Sequence, residues 1–145
     1  MPAGGGAHSG IEWTGVSEFV ARLQRIGERA SIEARAGVVE VVSEVERLAK
    51  QNASGRPGPN VVTGTLRRGI AQTPATPWGL MGWQAKIRPT VIYSRRIELG
   101  FHGADSRGRH YDQPAYPYFT PAWNTVAPRV QAIWRAHMIA AISSV

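Results

Sequence analysis

The stretch VIYSRRIELGFHG, residues 91–103, places two arginines and a glutamate among large apolar residues. Tyr93, Ile97 and Phe101 are four residues apart, which is the spacing of residues that share one face of a helix. Gly100 then interrupts the pattern, as glycine commonly does where a helix ends. The stretch therefore predicts a short helix that ends at Gly100 and packs one apolar face on a core.

The charged residues of this stretch are expected beside that apolar face rather than within it. Arg95 and Glu98 are three residues apart, so on a helix they can pair on its outer surface. A glutamate beside an arginine stays ionised near neutral pH, which argues against Glu98 as a general base. Arg95 and Arg96 fit a solvated helix face, or else a contact with another subunit or with DNA phosphates.

The N-terminal third of the chain predicts a long amphipathic helix. Apolar residues recur at helical spacing after Ser17, which is a suitable N-cap. The pattern ends before residues 52–60, whose glycines and prolines cannot continue a helix. Gly27 and Gly37 are candidate interruptions, so the pattern fits one helix or two.

The next segment, VVTGTLRRGI, predicts a single helical turn. Thr63 is a suitable cap for it, and Leu66 and Ile70 are four residues apart on one face. Arg67 and Arg68 then turn away from that face, into solvent or towards a partner.

Short antiparallel strands are predicted in the middle of the chain. Apolar and polar residues alternate from Trp83 to Ile92, which is the period of a half-buried strand. Residues 71–76 are the candidate partner strand. The sequence between them fits a loop or hairpin end that exposes Trp78 and Trp83.

The last part of the chain predicts a long loop followed by a helix. Residues 102–116 are polar and longer than an ordinary connection, so the loop is expected to be functional or to become ordered on a partner. Thr120 as N-cap and Pro121 at the first helical position are expected to start the helix. It runs to about Ile142, with a kink or a new start near Pro128. Four aromatic residues around it are expected in the core: Tyr118, Phe119, Trp123 and Trp134.

Length and composition limit the class of protein. The 145 residues fit a flexible glycine-rich tail over residues 1–15 and a single domain over residues 16–145. The chain has no cysteine, which excludes disulfides and thiolate chemistry. No apolar run approaches the ~18 residues that a membrane span needs, and the N-terminus does not fit a secretory signal, so we expect no membrane contact.

Positive charge is concentrated in the second part of the chain. Residues 1–50 carry six Arg or Lys against seven acidic residues, whereas residues 51–145 carry eleven against three. Such a surface favours nucleic acid or another polyanion. It equally fits a protein interface, because fifteen of the seventeen basic residues are arginine, which is enriched at interfaces.

The sequence offers little catalytic or metal-binding chemistry. The four histidines do not follow metal-ligand spacing, and phosphate-loop and nucleophile-elbow motifs are missing. One polar cluster could in principle hold a metal or perform acid–base work: His102, Asp105, His110 and Asp112. No residue can be named that would orient it, so we expect no catalytic residue, metal or cofactor.

The charge and the residue types leave two functions open. A basic nucleic-acid-binding module would use arginines between residues 67 and 109 as phosphate contacts. A small toxin-type ribonuclease would stabilise a phosphorane with His110, Tyr111 and Arg109.

Three segments in order resemble the signature stretches of the small tail-component proteins of tailed bacteriophages, which include neck and tail-completion proteins. The segments are TGTLRRGI (63–70), YSRRIELGF (93–101) and YPYFTPAW (116–123). Each motif is short, so their order and spacing carry the resemblance. The matching residues are Thr63, Gly64, Leu66, Arg67, Ile70, Tyr93, Glu98, Gly100, Pro117, Pro121 and Ala122.

The resemblance implies an α+β fold, with a long N-terminal helix and a C-terminal helix packed on a small antiparallel β-sheet, and with protruding loops. It implies a non-enzymatic virion protein, assembled in the host cytoplasm, that forms a homo-oligomeric, six-fold ring at the head–tail junction or tail end. Its partners would be neighbouring neck, stopper or tail-tube proteins, with transient contact to passing genomic DNA. The residues expected at a subunit or partner interface are Arg67, Arg68, Arg95, Arg96, Glu98, Arg107 and Arg109.

Overall fold

The computed structural model describes residues 14–80 and 82–145, and their fold is mixed α+β as expected. Residues 1–13 of the predicted tail lie outside the described residues. The helices are α1 (Val16–Asn52), α2 (Thr65–Arg68), α3 (Ser94–Leu99), α4 (Phe119–Val126) and α5 (Val130–Ser143). The strands are β1 (Ile70–Gln72), β2 (Thr76–Trp78), β3 (Gly82–Gln84), β4 (Ile87–Pro89), β5 (Phe101–Ala104) and β6 (His110–Gln113).

The N-terminal pattern forms one continuous helix rather than two. Helix α1 has 37 residues, and neither Gly27 nor Gly37 interrupts it. Gly37 is instead a place of close approach, because a Cβ atom there would lie 3.2 Å from the ring of His137 in α5. A glycine in the middle of a helix costs about 1 kcal/mol relative to alanine. At this position the glycine allows α1 and α5 to pack closely.

The core lies against the C-terminal half of α1. Val45 and Ala49 of α1 are completely buried, together with Ile70 at the start of β1 and Val126 at the end of α4. The fully buried Tyr118 immediately precedes α4. Half-buried side chains complete this core: Val41, Leu48, Leu66, Ile87, Ile97, Phe119 and Val130.

The strands form three separate two-stranded antiparallel ribbons rather than one small sheet. The sequence predicts that residues 71–76 pair with a single strand from Trp83 to Ile92. In the structure these residues form two ribbons, because β1 pairs with β4 and β2 pairs with β3. The prediction of a long loop over residues 102–116 is wrong. β5 and β6 form a hairpin there, because Asp105 accepts backbone N–H bonds from Arg107 and Arg109 and so closes the turn.

The predicted helix starts are shifted by one or two residues. Gly64, with φ of 73°, is the N-cap of α2, whereas the Thr63 hydroxyl accepts a weaker bond from the N–H of Thr65 at 3.3 Å. Helix α4 begins at Phe119, so Thr120 is inside the helix rather than at its N-cap. Pro121 is tolerated in this first turn because its missing N–H would have no helical partner there.

The predicted break near Pro128 is confirmed. A short 3-10 turn, Ala127–Arg129, separates α4 from α5. Helix α5 then runs antiparallel to α1, since Arg129 lies 3.5 Å from Glu44 and His137 contacts Glu40 and Glu33. Within residues 14–80 and 82–145, no helix combines the length and the apolar character that crossing a membrane requires.

Candidate functional site

Glu98 holds the start of α4 in place. Its carboxylate accepts backbone N–H bonds from Tyr118 (2.9 Å), Phe119 (3.0 Å) and Thr120 (2.8 Å). The first N–H groups of a helix have no partner within the helix, and a negative charge is favoured beside them. Glu98 therefore lies inside the subunit, and the expected pairing with Arg95 on the outer face is wrong.

The ionisation of Glu98 follows from this arrangement. Burial by itself would raise the pKa of the carboxyl group, but the amide hydrogen bonds from α4 outweigh burial and lower the pKa below its usual value. The neighbouring Tyr118 hydroxyl is buried and forms no hydrogen bond of good geometry with a described residue, and a weaker interaction with the Ser94 side chain only partly offsets the rise in its pKa. Burial, followed by the charge of Glu98, raises the pKa of Tyr118 to about 12.

The arginines of α3 face outward and differ in their surroundings. The Arg96 guanidinium lies 4.2 Å from the ring centroid of Phe101 and 5.8 Å from that of Tyr111, so it stacks against the base of the β5–β6 hairpin. Arg95 is exposed and forms no ion pair with any described residue. Arg95 is thus the member of this pair that remains available to a partner.

The tip of the β5–β6 hairpin is a self-contained polar cluster. Asp105 accepts a bond from the Arg109 side chain at 2.7 Å and one from the Tyr111 hydroxyl at 3.3 Å. The backbone bond from Arg109 is the first of several contacts that hold the pKa of Asp105 below its usual value. Arg107 extends from the same turn, and it is exposed and in no ion pair with a described residue.

The polar cluster predicted around this hairpin is divided between separate contacts. His102 pairs across the hairpin with Asp112, whereas Asp105 is occupied by Arg109 and Tyr111. In the part of the chain that the structure describes, no three acidic or histidine side chains are grouped to hold a metal ion.

The motif residues shape the backbone around the core. Ile70 is fully buried and Leu66 is half-buried against the same core. Gly100 has φ of 75°, and a Cβ atom there would lie 2.8 Å from the carbonyl oxygen of Gln113. A side chain at position 100 would therefore separate α3 from the segment that leads into α4. Tyr93 is the N-cap of α3, and Pro117 is exposed just before the core residue Tyr118.

Arg67 and Arg68 turn away from the core, as predicted. Arg67 donates to the Ser54 hydroxyl at 3.3 Å, and both side chains are exposed. Beside them lies an apolar groove of about 280 Å³ between the 59–66 segment and α3.

A larger apolar feature was missed by the sequence analysis. Two adjoining cavities of about 450 Å³ and 280 Å³ share three lining residues and form one open trough over α1. We call it the tryptophan trough, and its principal lining residues are Val38, Trp78, Trp83, Trp123, Trp134 and Met138. Trp123 and Trp134 were expected in the core, but they are 46% and 54% exposed.

A second apolar surface lies on the first part of α1. Residues 16–29, which we call the α1 arm, carry Val16, Phe19, Val20 and Leu23, and these are 45–61% exposed. Their three- and four-residue spacing places them along one helix face. The periodicity was visible in the sequence, but it could not show that the face lacks a covering element among the described residues.

Comparison of the chain with protein-family models, with curated proteins and with solved structures gives no match. The role of these surfaces must therefore be inferred from their geometry and charge.

Proposed function

We propose that this chain is a structural subunit of a tailed-phage virion, acting without catalysis at the head–tail junction or tail end. Copies of it form a ring, with six-fold symmetry as in the family that its three motifs resemble. The ring joins the head to the tail and allows DNA to pass. Its partners are other copies of the chain and the neighbouring neck, stopper or tail-tube proteins in the virion, which is assembled in the host cytoplasm.

One observation carries the proposal: the subunit exposes two separate apolar surfaces. The α1 arm and the tryptophan trough both present large side chains to solvent. Large exposed apolar patches mark protein contacts, and tryptophan and phenylalanine are enriched in interface cores. A subunit with two different contact surfaces forms head-to-tail assemblies, which close into rings when the rotation between neighbours permits.

The charge distribution supports contact with DNA or an acidic partner. Among the arginines predicted at an interface, four are exposed and neither pair with an acid nor stack on a ring of a described residue: Arg67, Arg68, Arg95 and Arg107. An arginine that has no acid beside it retains its full attraction for phosphate. We assign these residues to partner or DNA contacts, whereas Arg96 and Arg109 stack and pair within their own subunit.

Light scattering on the purified chain tests this function, first alone and then mixed with purified necks or tail tubes, at low and high salt. We expect a ring-sized species, or a monomer that joins the particles in fixed stoichiometry. A monomer that ignores the phage parts in both conditions contradicts the proposal.

A second candidate is a basic nucleic-acid-binding module, favoured by the same unpaired arginines. It predicts binding to free DNA that weakens steeply with salt, because each phosphate contact releases counterions. Salt-sensitive DNA binding by a persistent monomer would favour this candidate over the ring subunit.

A further inference from the structure

The α1 arm projects beyond the elements that pack on the rest of α1. Helix α5 runs antiparallel to α1, with Arg129 beside Glu44 and His137 between Glu40 and Glu33. Since α5 ends at Ser143, less than two turns after His137, it cannot lie alongside residues 16–29. The arm is thus a helical projection about 20 Å long, with Phe19 61% and Leu23 51% exposed.

The arm cannot occupy the trough of its own subunit. Residues 30–42 of α1 form the floor of the tryptophan trough, and the arm continues from them in the same unbroken helix. A helix without a break cannot fold back onto itself. An α1 arm that fills the trough therefore comes from another copy of the chain.

We propose that the α1 arm of one copy lies in the tryptophan trough of the next copy. This rests on the ring assembly in the proposed function and names the contact that joins neighbours. An amphipathic helix that places three- and four-spaced side chains into an apolar groove is a common mode of protein recognition. Because the arm and the trough are different surfaces, the contact is head-to-tail and continues from subunit to subunit.

The area of this contact favours arm-in-trough assembly. Trp78, Trp123 and Trp134 are 67%, 46% and 54% exposed. Covering these indoles together with the apolar arm removes on the order of 700 Å² of apolar surface from water. Apolar atoms form about 60% of an interface, so the contact reaches the roughly 1,200 Å² in total that specific interfaces need. Two arms packed on each other bury less, since neither contributes an indole.

Charge also disfavours two arms packed on each other. Arg22 and Arg29 are seven residues apart on one flank of the apolar stripe, beside Leu23. In an antiparallel pair of arms this flank faces itself, which opposes arginine to arginine. In a parallel pair of arms, the arginine flank of one arm faces the opposite flank of the other arm. That flank carries Val20 and Gly27 and supplies no negative charge to the arginines. The two cavities of the trough are lined by no charged side chain among the described residues, and Arg35 stacks on Trp83 with its guanidinium carbon 5.6 Å from the ring centroid.

Cysteine cross-linking tests the proposal cleanly, because the chain has no native cysteine. A Leu23→Cys chain is mixed with a size-tagged Gln84→Cys chain, since Gln84 lines the trough. A short bis-maleimide should give a mixed dimer as the main product. The matched control, Glu28→Cys on the other side of the arm, should give several-fold less of it. Dominant Leu23→Cys self-dimers, or equal yields from both arm positions, would overturn the proposal.

A pair of substitutions provides an independent measurement. Leu23→Ser should shift the assembled species to monomer in light scattering, whereas Gln24→Ser, one residue away on the exposed flank, should leave it assembled. Equal thermal unfolding of both variants, each diluted until it is monomeric, shows that folding is intact. A chain that joins phage necks without arm-to-trough cross-links contradicts only this inference. A chain that forms those cross-links but ignores phage parts contradicts the proposed function.

Discussion

At the scale of single residues, Glu98 shows what a motif residue does. The sequence suggests a surface carboxylate paired with Arg95, yet the carboxylate spans twenty residues of chain to accept three backbone N–H groups at the start of α4. Helical spacing correctly predicts α3 itself. It cannot reveal that the free end of another helix lies within reach, since that depends on how α3 and α4 pack.

Replacing Glu98 should therefore affect folding before assembly. We expect Glu98→Gln to lower the free energy of unfolding by about 1–2 kcal/mol through loss of a charged cap, and Glu98→Arg to lower it further, because it places positive charge at the helix N-terminus. Urea unfolding of both variants measures this, with the exposed Arg95→Gln as a control expected within ~0.5 kcal/mol of the parent. An unchanged free energy of unfolding for Glu98→Arg would show that Glu98 does not stabilise the start of α4.

The Tyr118 hydroxyl gives a second prediction at this scale. It is buried without a hydrogen bond of good geometry to a described residue, and an unpaired buried polar group costs about 1–3 kcal/mol. We expect Tyr118→Phe to leave stability unchanged or to raise the unfolding free energy by about 1 kcal/mol. Thermal and urea unfolding measure the difference. A marked loss of stability would show that the hydroxyl has a hydrogen-bond partner.

At the scale of elements, one histidine bridges two glutamates at the junction of α1 and α5. His137 Nδ1 lies 2.7 Å from Glu33 Oε2, and Nε2 lies 2.9 Å from Glu40 Oε2. Gly37 between them leaves room for the ring. The sequence predicts both helices and the break before α5, but not their register, because glycine in a helix can indicate either a break or a close contact.

This junction should make stability depend on pH. The hydrogen bonds that the imidazolium donates to Glu33 and to Glu40 raise the pKa of His137 above its usual 6.5, so the folded state holds the proton more strongly than the unfolded state. The stabilisation is complete below the unfolded pKa and is lost as pH rises through the raised folded value. The difference in unfolding free energy between the parent and His137→Gln should thus be larger at about pH 5.5 than at about pH 8.5. Equal differences at both pH values would show that the charge contributes nothing.

At the scale of the whole molecule, the α+β class and most elements follow from periodicity, whereas the candidate site does not. Trp123 and Trp134 fit the apolar face of a helix, and the sequence cannot indicate that this face opens into a trough instead of a closed core. The β5–β6 hairpin was hidden because its strands are short and polar, and its turn is closed by the Asp105 side chain. Contacts between distant segments determine both features.

The exposed arginines allow DNA contact and subunit contact to be separated in the assembled protein. Arg95 and Arg107 lie on neighbouring elements and form no ion pair with a described residue. If both contact phosphate, the variant with Arg95→Gln and Arg107→Gln should assemble normally, and the negative slope of log affinity for DNA against log salt should become shallower by about 2. Binding titrations across a salt series measure the slope, with light scattering on the same samples. The charge-matched control is a double substitution of Arg25 and Arg135 to Gln, since both are exposed and neither belongs to the apolar stripe of the α1 arm or to the trough lining. If the Arg95 and Arg107 variant keeps the slope but loses the oligomer, these arginines join subunits, and DNA contact belongs to other basic residues of the ring.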